Sequence, residues 1–169
     1  MSSNSPKNES ILAFENEAGT PSDNLLTVTI DGVSVQVKEG ATILVAAARA
    51  GVKIPTLCFL KDVSNIGSCR MCVCEVAGQQ ALVPACNTPV VNGMEVITDS
   101  SRVHAARKMA LELIMANHRT QCLTCVKNGA CELQSLCRAF GIEEELIAKA
   151  ALPQKPILDI NPFLRFDPN

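Results

Sequence analysis

Hydrophobic and polar positions change period along this chain, and the changes divide it. Leu26, Val28 and Ile30 alternate with Thr27 and Thr29, and Val33, Val35 and Val37 alternate with Ser34 and Gln36. Asp31-Gly32 stands between the two runs. Period-2 runs joined by Asp-Gly predict a β-hairpin, because both turn residues accept positive φ. The apolar run from Ile43 to Ala50 follows, with Thr42 placed to cap a helix start and Gly51 to end the helix in the left-handed conformation. A hairpin followed by a packing helix is how a β-grasp fold opens. Residues 55–68 carry no period and read as a loop. Two short strands are predicted at 73–76 and 80–83 around Ala77-Gly78, and a last one at 94–98 after Asn92-Gly93.

Beyond about residue 100 the period becomes helical. Val103, Ala106, Ala110, Leu113, Ile114 and Asn117 share one helical spacing, with Ser100 or Ser101 placed to cap it. That helix leads directly to His118. A second helix is predicted over 131–140, ended by Gly141, and a third over 142–151, with Glu143 and Glu145 in the first turn, where the helix dipole favours them. The tail after Leu152 holds four prolines and no period, and reads as extended. Residues 1–24 are rich in Ser, Asn and Glu and read as a mobile tail. The expected fold class is therefore α+β, with a tail at 1–24, a first domain at 25–100, a small helical domain at 101–151 and an extended tail at 152–169.

Composition narrows the function. An apolar content of 47% over 169 residues is enough for packed cores. Five Phe, no Trp or Tyr and a net charge of −2 argue against a nucleic-acid partner, which needs exposed rings on a basic groove. No stretch approaches the roughly 18 apolar residues of a membrane span, and MSSNSPKNES lacks the features of a secretory leader. A cytoplasmic location is expected. In a reducing compartment nine cysteines read as metal binding rather than as disulfides.

Eight residues form two groups with ligand-like spacing. The first is Cys58, Cys69, Cys72 and Cys86, in CFLKDVSNIGSCRMCVCEVAGQQALVPAC; the second is His118, Cys122, Cys125 and Cys131, in HRTQCLTCVKNGAC. Four thiolates, with Gly67 and Ser68 letting backbone N–H groups approach the sulfurs, suit an iron–sulfur cluster. Zinc is the alternative there. It is a weaker one, because paired C-x2-C zinc sites lie roughly 15–20 residues apart and these two pairs lie much farther apart. For the second group the chemistry leaves tetrahedral zinc and a [4Fe–4S] cluster with one imidazole ligand equally open. His104 has no ligand-type neighbour at useful spacing and reads as structural or surface. Cys74 and Cys137 read as packing residues. No phosphate-cradling Gly-rich loop and no nucleophile–base pairing are evident, so no catalytic residue is assigned.

With both groups in view, the chain resembles the N-terminal region shared by the large iron–sulfur subunit of complex I, the [FeFe] hydrogenases and NAD-linked formate dehydrogenases. The resembling stretches are IPTLCFLKDVSNIGSCRMCVCEV, LVPACNTPV and ARKMALELIMANHRTQCLTCVKNGACELQSL. The resemblance implies one [2Fe–2S] cluster on Cys58, Cys69, Cys72 and Cys86, in a β-grasp ferredoxin-like domain. It implies one [4Fe–4S] cluster on His118, Cys122, Cys125 and Cys131, in the small helical domain. Cys137 has no counterpart in that pattern. The implied role is an electron-transfer subunit of a hetero-oligomeric NAD(P)-linked oxidoreductase, partnered by a flavoprotein of the NADH-dehydrogenase kind and by a further redox subunit. That second partner could be a hydrogenase, a formate dehydrogenase or a ferredoxin-coupled bifurcating transhydrogenase. NPFLRFDPN resembles the lead-in to a further cluster module, so the chain is either a fragment or a small subunit, and the tails favour the second. The competing readings are a free ferredoxin-like carrier and a structural zinc scaffold.

Overall fold

The structure is a computed structural model that describes residues 24–118, 120–142 and 156–166. The expected N-terminal tail and the helix expected over 142–151 lie almost wholly outside the described residues. The hairpin forms as its alternation requires. Strand β1 (Leu25–Ile30) pairs antiparallel with β2 (Val33–Lys38), Ile30 opposite Val33, around Asp31 at φ 47° and Gly32 at φ 83°. Two residues of positive φ make the tight turn whose twist matches that of the flanking strands. The Asp31 carboxylate then reaches across the sheet, accepting from the Thr98 backbone N–H at 2.7 Å and from the Thr98 hydroxyl at 2.5 Å.

Helix α1 (Ile43–Arg49) is capped by Thr42, whose hydroxyl accepts from the Val45 N–H at 3.5 Å. It ends in a Schellman motif: the Val52 N–H donates to the Ala47 carbonyl and the Gly51 N–H to the Ala48 carbonyl, with Gly51 at φ 75°. Ile43 through Ala48 are all buried, so this short helix has almost no solvent face. It packs on Val28, Ile30, Val37, Val76 and Val96 to make the core.

Three short strands complete the sheet: β3 (Val73–Val76), β4 (Val83–Pro84) and β5 (Glu95–Ile97). The order is β2-β1-β5-β3-β4, with β1 parallel to β5 and every other pair antiparallel. The strand expected over 80–83 shrinks to Val83–Pro84, paired with Cys74 and Val73 of β3.

Helix α2 (Ser101–Asn117) is capped by Ser100, whose hydroxyl accepts from the Val103 N–H at 3.1 Å. Its buried face differs from the expected one. Val103, Arg107, Leu111 and Met115 point inward at every fourth position, whereas Leu113 is 63% exposed. The difference is Arg107, which a hydrophobic count assigns to solvent. It is 5% exposed and its Nη2 donates to the Val73 carbonyl at 2.8 Å, fastening α2 to β3. Helix α3 (Glu132–Ala139) follows a short 3-10 turn at Cys122–Thr124, and His104 of α2 stacks on Phe140 with ring centroids 4.8 Å apart. His104 is thus structural. The tail expected to be extended contains a small hairpin, β6 (Leu158–Asn161) with β7 (Leu164–Phe166).

Candidate metal centres

The first group of cysteines is gathered by backbone hydrogen bonds around the start of α1. A helix start leaves N–H groups without intrahelical partners. Here those of Ile43 and Leu44 donate to the carbonyls of Thr88 and Ala85, which flank Cys86. The Ala85 N–H donates in turn to the Cys72 carbonyl at 3.0 Å, joining the loop of Cys86 to that of Cys72. Cys72 and Cys86 are each 1% exposed, while Cys58 and Cys69 are half-buried on the outer side.

The loop before the cysteine pair depends on Gly67. It sits at φ 66°, and a Cβ there would lie 3.1 Å from the Asn87 amide nitrogen and 3.2 Å from the Pro84 Cβ. Arg70, between Cys69 and Cys72, is also left-handed at φ 57°, which turns successive N–H groups inward. Burial alone would raise the Cys58 thiol, yet backbone N–H groups of Cys69 and Ser68, with the side chains of the same residues, hold it below its ordinary value of 9.0. Cys69 is raised by burial, against N–H donation from Met71. Cys86 is pushed up to about 12, first by burial and then by the neighbouring Cys72, Cys58 and Cys69 sulfurs. These four sulfurs therefore feel one another. A bound cation would favour the thiolate forms of such sulfurs, so metal binding here would release protons.

The second group surrounds a cavity of about 450 Å³. His118 is the C-cap of α2, its N–H donating to the Met115 carbonyl, so the end of that helix delivers the imidazole. Cys122 opens the 3-10 turn and Cys125 closes it, with the Lys127 N–H donating to the Cys125 sulfur at 3.5 Å. Cys131 is the N-cap of α3, so the start of that helix delivers its sulfur. Gly129 at φ 80° turns the loop, and Gln134 of α3 braces it by accepting from the Gly129 N–H and donating to the Asn128 side-chain oxygen. All four expected residues line the cavity, and so does Cys137, 7% exposed, on the same face of α3. Burial, then Cys131 and Cys122, raise its thiol. Cys137 thus stands on the cavity wall, beyond the packing role expected for it. Cys74 is a packing residue as expected: it is buried, its thiol donates to the Val83 carbonyl at 3.5 Å, and burial pushes it up to about 12.

Both donor sets fit clusters. The first offers only thiols, with N–H donors to sulfur, in a loop whose tightness Gly67 sets; the second offers three thiols and an imidazole around a void of several atoms' volume. Among the described residues, no three His, Cys, Asp or Glu side chains converge closely enough to hold a single metal ion. No helix of the described residues is long and apolar enough to cross a membrane.

Comparison with known proteins gives two successive matches along the chain. Residues 23–101 match the 2Fe-2S iron-sulfur cluster binding domain, and residues 107–145 the NADH-ubiquinone oxidoreductase-G iron-sulfur binding region. The chain is 48% identical over 126 residues to the NADP-reducing hydrogenase subunit HndD of Solidesulfovibrio fructosivorans, covering 72% of this chain and 22% of that one. It is 39% identical over 145 residues to the NADPH-Fe(3+) oxidoreductase subunit alpha of Geobacter sulfurreducens, covering 86% of this chain and 17% of that one. The chain therefore spans about a fifth of the length of these curated relatives. A crystal structure of NAD+-reducing [NiFe]-hydrogenase in the H2-reduced state superposes with a TM-score of 0.71 at 35% identity, covering 85% of this chain and 60% of that chain.

Proposed function

The chain belongs to the iron–sulfur family in which a 2Fe-2S binding domain precedes the NADH-ubiquinone oxidoreductase-G iron–sulfur region, and from that premise we propose that it relays single electrons within an NAD(P)-linked oxidoreductase complex. The ligands assigned are Cys58, Cys69, Cys72 and Cys86 for [2Fe–2S], and His118, Cys122, Cys125 and Cys131 for [4Fe–4S]. The domain division is 25–100 and 101–151. When bound, such clusters each take up and release one electron at a time.

One observation carries this reading: the two ligand pockets are joined by a single helix. Helix α2 is fastened to β3, beside Cys72 and Cys74, through Arg107 and ends at His118. The intervening eleven residues rise about 16 Å. A rigid rod of that length fixes the spacing of the two centres.

Nicotinamide delivers two electrons as hydride, so a flavin on a partner subunit would divide the pair before this chain carries them singly. The further partner would be a hydrogenase, a formate dehydrogenase or a ferredoxin-coupled transhydrogenase, in a cytoplasmic complex. Exposed apolar side chains flank both pockets and support docking of partners. Val63 (79% exposed) and Ile66 (68%) lie in the loop between Cys58 and Cys69, and Leu123 and Val126 lie in the second ligand loop.

The test is anaerobic isolation of the native complex. The expected result is co-elution with a flavoprotein, about six irons and about six sulfides on this chain, and two one-electron EPR signals on reduction. A colourless, zinc-bearing chain refutes the reading, and a brown monomer refutes its subunit half.

A further inference from the structure

The second cavity holds one ligand-type side chain more than a four-ligand site uses. Five such residues line it: His118, Cys122, Cys125, Cys131 and Cys137. They differ in how they are held. Cys131 and Cys137 both belong to α3, the first as its N-cap and the second near its end, with Gln134 between them on the same face. Cys137 is 7% exposed, and its carbonyl accepts from the Ile142 N–H at 2.9 Å, which ties down the helix end. Its position on the wall is fixed.

His118 is the opposite case. It is exposed, outside the helical dihedrals at φ −88° and ψ 139°, and its backbone N–H donates to the Met115 carbonyl. Of the five, it is the group most easily withdrawn. A neutral imidazole also contributes no negative charge to a cluster, whereas a thiolate contributes one.

We propose that Cys137 is a reserve ligand of the [4Fe–4S] site, able to take the position of His118 and leave the cluster held by four thiolates. This rests on the ligand assignment made above. In the exchange one Fe–N bond breaks and one Fe–S bond forms. The thiol proton passes to the departing imidazole or, where His118 is replaced, to water. No electron moves. The cluster gains one unit of negative charge, so its reduction potential falls. Cys74 has no such option, since it does not line this cavity and its thiol donates to the Val83 carbonyl.

The experiment uses the whole chain, reconstituted without oxygen, in four forms: wild type, His118→Gly, Cys137→Ala and the double variant. Iron and sulfide counts, EPR and potentiometry are read on each, and the [2Fe–2S] signal of the same chain reports that it has folded. We expect His118→Gly to keep the full iron count with a more negative [4Fe–4S] potential, Cys137→Ala to match wild type, and the double variant to lose the second cluster. Reconstitution with added imidazole should restore the second cluster and its wild-type potential in the double variant and leave His118→Gly unchanged. Loss of the second cluster in His118→Gly, with the [2Fe–2S] signal intact, overturns the proposal; so does a double variant indistinguishable from His118→Gly. His118→Gln, which keeps bulk at the rim, is read by the same criteria if the glycine variant does not accumulate. Wild-type chain without iron sinks the functional reading itself, which separates that failure from this one.

Discussion

Replacing Arg107 by methionine removes a buried cation while keeping most of its volume. In the native chain its Nη2 donates to the Val73 carbonyl at 2.8 Å, while its Nε is buried with no partner. Burial disfavours its charge, which Cys74, Asp99, Cys72 and Asp31 then favour. Two stability effects oppose each other. Losing a hydrogen bond from a charged donor costs about 1.5–3 kcal/mol, and removing a buried unpaired donor returns about 1–3 kcal/mol. The net change in stability should stay below about 2 kcal/mol. The effect on the first centre has nothing to offset it. A unit charge on the order of 10 Å away, at an effective dielectric near 20, contributes about 1.7 kcal/mol, or roughly 70 mV for one electron. Removing a positive charge makes adding an electron harder, so the [2Fe–2S] potential should fall by about that much.

The assay is an EPR-monitored redox titration of both centres in the same chain. The second centre lies farther off along α2 in an open cavity, beyond a Debye length of about 8 Å, so its potential should move by less than half as much. Arg107→Lys, which keeps the charge, should recover most of the shift. An unmoved [2Fe–2S] potential in a loaded Arg107→Met chain refutes the reasoning, as does an equal shift at both centres.

Three further outcomes follow from packing and titration. Gly67→Ala adds left-handed strain of about 1–2 kcal/mol and crowding against Pro84 and Asn87 of about 1–3 kcal/mol; the first cluster should be lost selectively, read as a missing [2Fe–2S] signal beside an intact second one. Asp31→Ala removes both hydrogen bonds to Thr98 and should destabilise the metal-free chain by about 3 kcal/mol, measured as a lower urea midpoint; an unchanged midpoint would show that the turn holds without that tie. Cys74 and Cys86 are both raised from 9.0 to about 12. Their protonated forms are favoured by folding, so this stability is fully present below about pH 9 and is lost as pH rises towards about 12. Urea midpoints of reduced, metal-free chain should therefore fall above about pH 9, less steeply in Cys74→Ala, and a flat profile contradicts the assignment.

Local rules made much of the first domain legible. Asp31-Gly32, the Thr42 cap and Gly51 each act within a few residues, and the structure forms the hairpin and helix they specify. The spacing of the eight candidate ligands was legible for the same reason. What escaped depended on distant partners. Arg107 is buried because the Val73 carbonyl lies waiting on another element, so the inward face of α2 runs through 103, 107, 111 and 115. Cys137 reaches the cavity because α3 presents its 131, 134 and 137 positions there; the helix is predicted over 131–140, but the ligand loop that faces it comes from other elements. The β6–β7 hairpin had a signal that proline counting hid: Leu158 and Ile160 alternate before Asn161-Pro162, and Leu164 and Phe166 alternate after it.

The sheet order has a consequence for how the polypeptide is made. β1 lies between β2 and β5, so the first strand to leave the ribosome cannot gain its second neighbour until Ile97 has emerged. Closing so long a loop is the slow, late event in folding. Until then the segments that carry Cys58, Cys69, Cys72 and Cys86 hang between two halves of an unfinished sheet, and arrival of β5 is what draws them into one compact unit.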